Sequence, residues 1–177
     1  GGHGMSFSSM VKGELCRMDA DKSCCLVSEL AAVIRTSASI RVFSGDVVSA
    51  RIVTENAAFA RRSFSMIRRV LDISPEVMTR RRNKLKKHIT YILDLNLSPE
   101  SRNILKINSI DTTSNPPRIP YSLDPDEDFN DSCCKKAYLR GAFLAAGSIS
   151  DPEKTYHLEI ANHSCDLAQE LNNIMEN

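Results

Sequence analysis

Four of the six cysteines stand in two adjacent pairs, Cys24-Cys25 and Cys133-Cys134, 109 residues apart. Thiolates gathered in fours hold zinc and in twos form disulfides, so these pairs are the first residues whose type and spacing could do chemistry. Neither use is expected here. Adjacent cysteines at predicted helix starts make a poor disulfide framework, no secretory leader is visible, and the C-x₂-C spacing of common zinc sites is absent. Zinc is the sharper alternative if the two pairs meet through symmetric packing. The expectation is reduced, buried and inert thiols, Cys16 and Cys165 with them, and neither metal nor cofactor.

The second chemical group is cationic. Arg80, Arg82, Lys84, Lys86 and His88 alternate through a segment predicted as a β-hairpin, and alternate side chains of a strand share a face. Such a face suits phosphates, which ask only for positive charge along a groove. Base reading needs defined bidentate partners that spacing does not establish. The net charge of +1 hides a strong asymmetry: residues 51–91 hold eleven Arg or Lys against Glu55, Asp72 and Glu76, a local +8 against −7 for the remainder. Segregated charge points to a polyanion, duplex DNA foremost, with a solvated edge as the plainer alternative. Arg61, Arg62, Arg68 and Arg69 fall on or near the outward side of a predicted helix and are expected to be solvated. His157 and His163 are read as surface histidines, and the seven glycines form no phosphate loop.

Positioning these groups falls to a duplicated unit. The run from Cys24 through Leu30, Ala31 and Ala32 to Ser39-Ile40 returns as Cys133 through Leu139, Gly141, Ala142 and Ala145 to Ser148-Ile149. With one residue of slippage, Ile52 and Phe59 reappear as Ile160 and Leu167. A period this long means two copies of one supersecondary unit rather than a solenoid. Helical spacing and capping residues predict a leader helix over 10–17 capped by Ser8 or Ser9, and a first repeat helix to about 35 capped by Ser23. Two strands follow around a Ser44-Gly45-Asp46 turn, then a helix over 55–71 with Thr54 as its cap and strands over 76–82 and 85–93. Ser98-Pro99 opens a third helix to about 107. Residues 108–131 read as a linker with four prolines and six acids. The second copy offers a helix over 132–146, one clear strand near 156–161, with a second one beginning at Ser148-Ile149, and a helix from Ser164. The counterpart of the last hairpin is missing, so the chain is read as part of a longer protein. Residues 1–4 are read as a tag remnant, 5–107 as leader and first repeat, and 132–177 as a truncated second repeat. No apolar run approaches the ~18 residues of a membrane span.

The segments 30–39 and 139–148 resemble the LAGLIDADG motif of homing endonucleases. That resemblance implies an α+β fold: two pseudo-symmetric repeats of helix-strand-strand-helix-strand-strand around a central helix pair. Ala31, Ala32, Gly141, Ala142 and Ala145 would be the small residues of the repeat interface. The family's chemistry uses the last carboxylate of each motif to hold a divalent metal beside the scissile phosphate. Those positions fall on Ser37 and Ala146, and the other acidic position on Arg35 and Leu144. The expectation is a scaffold with no catalytic residues. Asp151 and Glu153, beyond the second motif, keep a surviving nuclease as a minor reading.

A duplicated motif without its acids, each copy led by Cys-Cys, is similar to the bacterial WhiA family. Residues 138–160 carry most of the likeness, with 5–15 and 54–61. It implies a non-catalytic module of a DNA-binding transcription regulator of sporulation, cell division and chromosome segregation, nucleoid-associated in the bacterial cytoplasm. The family's C-terminal helix-turn-helix domain has no counterpart in these residues. The implied partners are duplex DNA, bound weakly or non-specifically here, and a protein partner, with no membrane. The alternative is a protein- or ligand-binding sensor domain that does not itself touch DNA.

Overall fold

The computed structural model describes residues 6–19, 22–81, 88–107, 110–119, 131–149 and 158–160. The leader helix α1 spans Phe7–Leu15, three residues earlier than the sequence suggests. Ser6 caps it, its hydroxyl accepting from the Ser9 amide at 3.2 Å. With three serines in the stretch, the first that can reach an amide three residues on sets the helix start, and Ser9 becomes the donor rather than the cap.

The two repeat helices match to the residue. α2 spans Ser23–Ser37 and α5 spans Ser132–Ala146, fifteen residues each and offset by 109. Ser23 opens α2 from inside; the cap position is Lys22, which makes no side-chain cap bond, and Asp131 at the head of α5 makes none either.

After α2 the chain forms β1 (Ser39–Phe43) and β2 (Asp46–Thr54). Ser44 and Gly45 turn between them with φ of 49° and 81°, the left-handed pair that matches the twist of a two-residue hairpin. α3 (Ala57–Leu71) is capped by Asn56, whose side chain accepts from the Phe59 amide at 3.1 Å. Thr54, expected as the cap, instead accepts from the Asn56 amide at 3.0 Å and so holds the cap residue in place. β3 (Glu76–Arg81) and β4 (Ile89–Asn96) complete an antiparallel sheet in the order β1-β2-β4-β3. α4 follows as Pro99–Ile104, capped by Ser98 as expected but ending before the buried Leu105 and Ile107.

Register divides the sheet into two faces, since antiparallel partners project to the same side. Ala50↔Leu95 and Ile52↔Leu93 face inward. They pack with Leu30, Val33 and Ile34 of α2 and Phe59 and Ile67 of α3 in one large core. Val53↔Ile92↔Met78 and Arg51↔Asp94↔Glu76 form rows on the opposite face. In the second copy β5 (Gly147–Ile149) pairs antiparallel with β6 (Leu158–Ile160). Ser148-Ile149 therefore does begin a strand, the counterpart of β1. The helix expected from Ser164 lies outside the described residues, as do Cys165, His157, His163, Asp151 and Glu153. Among the described residues, no helix is long and apolar enough to cross a membrane.

Candidate functional site

The centre of the molecule is the α2–α5 pair. Gly141 is buried opposite Ala32, its own counterpart in the first copy. A Cβ placed on Gly141 would collide with the Glu29 carbonyl oxygen and lie 3.1 Å from the Ala32 Cβ. The helices can approach this closely because that Cβ is missing. Ala32 and Ala142, both 0% exposed, line the seam with Ala137 and Tyr138. Ala31 belongs instead to the larger core under the sheet, and Ala145 packs against that same core.

At the motif ends the chemistry is that of helix closure. The Ser37 hydroxyl donates to the Val33 carbonyl at 3.0 Å, and Thr36 donates to the Ala32 carbonyl at 2.7 Å. Arg35 reaches sideways to the Leu105 and Lys106 carbonyls at 3.3 and 3.2 Å, fastening α2 to the turn after α4. Ala146 ends the second motif with no polar side chain at all.

A buried ionic knot crosses the pair. The Glu29 carboxylate is fully buried and receives Arg62 of α3 in a bidentate pair at 2.6 and 2.9 Å, together with Arg140 of α5. Arg62 also donates to the Cys16 and Met18 carbonyls at 3.2 and 2.6 Å, drawing in the chain after α1. Burial works to lower the Arg62 guanidinium, and the hydrogen bond and charge of Glu29 more than offset it, holding it above its usual value. The expectation that Arg62 is solvated is thus corrected: it is an internal tie. No motif singles out Glu29 in the sequence. The signal is there nonetheless, because Glu29 falls three residues after Leu26 and four before Val33, on the apolar face, and a carboxylate buried there must find a cation.

The expected basic face is only partly described. Arg80 is exposed on β3 opposite Thr90, on the outer face with Arg41 and Arg51. His88 is exposed just before β4 and borders a cleft of about 1070 Å³ with Lys12 and Arg17 of the α1 region and Arg61 and Arg69 of α3. Arg82, Lys84 and Lys86 lie outside the described residues. The described part of the outer face is closer to neutral than basic. Asp94 takes Arg51 in a bidentate pair at 2.7 and 2.8 Å. That hydrogen bond holds the Asp94 carboxyl below its usual range. The stability it contributes is present above the ordinary carboxylate value and is lost as pH falls through the lowered one. Asp94→Asn should therefore flatten the acid limb of the stability–pH curve, read by thermal melts between about pH 2 and pH 5.

The cysteine pairs meet at the other end of the helix pair. Cys25 and Cys134 are buried, Cys133 is half-buried and Cys24 is exposed. The sulfurs of Cys24, Cys25 and Cys134 lie within 4.8 Å of one another, and the Cys133 sulfur, outside that group, accepts from the Lys22 ammonium at 3.9 Å. Burial pushes the Cys25 and Cys134 thiols up, whereas the hydrogen bond from Cys25 and the Lys22 ammonium bring Cys133 down. Uniformly buried thiols were expected; Cys24 is exposed at its helix start, and Cys16 and Cys133 are only half-buried.

Comparison with known proteins places this geometry. Residues 23–108 match the WhiA N-terminal LAGLIDADG-like domain, and residues 135–177 match the WhiA LAGLIDADG-like domain. A probable cell division protein WhiA of Ruminiclostridium cellulolyticum is 42% identical over 174 residues, covering 97% of this chain and 53% of that protein. Its namesake in Alkaliphilus metalliredigens is 41% identical over 175 residues, covering 97% and 54%. The chain thus spans about half the length of the curated relatives it matches. Two solved structures share the fold. The crystal structure of the N-terminal LAGLIDADG domain of DUF199/WhiA has a TM-score of 0.71 at 20% identity, covering 97% of this chain and 73% of that one. Full-length DUF199/WhiA from Thermatoga maritima gives 0.68 at 21%, covering 97% and 50%. With two family models spaced along the chain as its two copies are, and its paired helices at their centre, the chain belongs to the WhiA family.

Proposed function

We propose that this chain is the non-catalytic LAGLIDADG-like module of a DNA-binding transcription regulator of sporulation, cell division and chromosome segregation, acting at the nucleoid in the bacterial cytoplasm. The observation that carries the reading is the pair of motif ends. The helices that set catalytic carboxylates beside a phosphate in the endonucleases close here on Ser37, bonded to its own helix, and on Ala146. The scaffold is kept while its chemistry is absent from those positions, which leaves binding as its use. Phosphate contact would fall to Arg80, Arg82, Lys84, Lys86 and His88.

Two assays test this. Duplex DNA should bind with little sequence preference and a Kd of about 10⁻⁴–10⁻⁶ M at physiological salt, the range of charge-driven contact. Incubation with Mg²⁺ or Mn²⁺ should leave the duplex intact, because a hydroxyl held by its own helix and a methyl group do not replace two carboxylates. Metal-dependent nicking by clean protein would instead assign catalysis to Asp151 or Glu153.

One observation favours a second reading, a protein-binding face. On the outer side of the sheet Val53 and Met78 are 50% and 41% exposed in one row, and Arg51 is already neutralised by Asp94. A sheet face of this composition suits a protein surface better than a phosphate backbone.

A further inference from the structure

We propose that the two cysteine pairs form a zinc site that staples the two halves of the module together. The internal symmetry brings Cys24 and Cys25 at the head of α2 to Cys133 and Cys134 at the head of α5. Three of these sulfurs already lie within 4.8 Å of one another. A tetrahedron of ~2.3 Å zinc–sulfur bonds has edges of about 3.8 Å, so these three sulfurs need to draw together by no more than about 1 Å. Cys133 lies outside that group of three but next to Cys134 and half-buried, and its side chain would turn inward to supply the fourth ligand.

Three further features suit a tetrathiolate. Both pairs sit in the first turn of a helix whose start has no side-chain cap, where the helix dipole favours negative charge. The Lys22 ammonium lies 3.9 Å from the Cys133 sulfur, countering part of the excess charge that four thiolates leave on one Zn²⁺. Cys24 is exposed while Cys25 and Cys134 are buried, giving the ion an entry from solvent and a dry inner side. On binding, each thiol gives its proton to solvent and its sulfur lone pair to the metal, with no change of oxidation state. A disulfide is the weaker use, because it would consume two sulfurs and leave the other two as thiols packed against it.

The site rests on geometry independent of the DNA reading. It would fix the end of the helix pair remote from the motif ends and so join the repeats where the seam of small residues begins.

The test starts with reduced, chelator-stripped protein titrated with Co²⁺ and then Zn²⁺. One Co²⁺ per chain should give the intense visible absorption of tetrahedral thiolate coordination, and one equivalent of Zn²⁺ should bleach it. Native mass spectrometry of the unmodified protein should show one bound zinc, and zinc should raise Tm. Cys24→Ser with Cys133→Ser removes solvent-facing sulfurs. It should keep the far-ultraviolet dichroism of the parent and abolish both the absorption and the zinc-dependent rise in Tm. Cys16→Ser, outside the cluster, should change neither. The proposal is overturned by a reduced parent that binds less than one metal per chain, by the pale spectrum of oxygen-ligated cobalt, or by binding that survives the double variant. A disulfide across the pairs on mild oxidation, with no metal taken up by the reduced protein, would overturn it in favour of a redox pair.

Discussion

Glu29→Ala should destabilise the protein by about 3–5 kcal/mol, the usual effect of removing one partner from a buried ion pair. The carboxylate pairs with both Arg62 and Arg140 in the knot. Its loss leaves two guanidiniums with 10% and 13% side-chain exposure without the carboxylate that pairs with both. Glu29→Gln keeps the shape and some hydrogen bonding and should fall between parent and alanine. Urea unfolding reads the difference directly, as a shift in midpoint at unchanged slope. A loss below ~1 kcal/mol, typical of an exposed pair, would mean that water reaches the knot. The same knot joins α2, α3 and α5, so the relative placement of the halves depends on it.

Gly141→Leu is expected to have the next largest effect. Overpacking a close contact typically costs ~1–3 kcal/mol and occasionally more. The upper part of that range applies here, because the first added carbon already collides with the backbone carbonyl of Glu29, which cannot swing aside as a side-chain tip would. Gly141→Ala should be destabilising in the same direction. Ala145→Leu, on the side of α5 that packs against the larger core, should cost less. Thermal melts that place all three variants with the parent would remove Gly141 from the helix seam.

How far the sequence leads can be judged from particular residues. The 109-residue offset places both repeat helices, and the turn at Ser44-Gly45 and the cap at Ser98 are legible because each has a local physical cause. The helix caps at Ser6 and Asn56 fall a few residues from their expected places because several hydroxyl and amide side chains compete within one turn, and reach rather than residue type decides among them. The role of Arg62 is hidden for a different reason. Its partners lie 33 and 44 residues earlier in the chain, at Glu29 and Met18, and helical periodicity reports only which side of a helix is apolar. The cysteine pairs are visible in the sequence, but their meeting depends on symmetric packing, which spacing within one copy does not encode. Ala31 and Ala145 suit the seam by their size; α2 and α5 each touch two cores, and small residues serve both.

The most direct measurement of the proposed function is the salt dependence of duplex binding by the parent and by a variant carrying Arg80→Ala, Arg82→Ala, Lys84→Ala and Lys86→Ala. If these side chains meet phosphates, the parent's log K should fall linearly with log salt, and the variant's slope should be shallower by up to ~0.9 for each phosphate no longer neutralised. The variant should remain folded, which its far-ultraviolet dichroism checks. A weaker, less salt-dependent complex is the predicted result. A folded variant whose affinity and slope equal the parent's would contradict phosphate binding by the hairpin and leave the sheet's outer face to a protein partner.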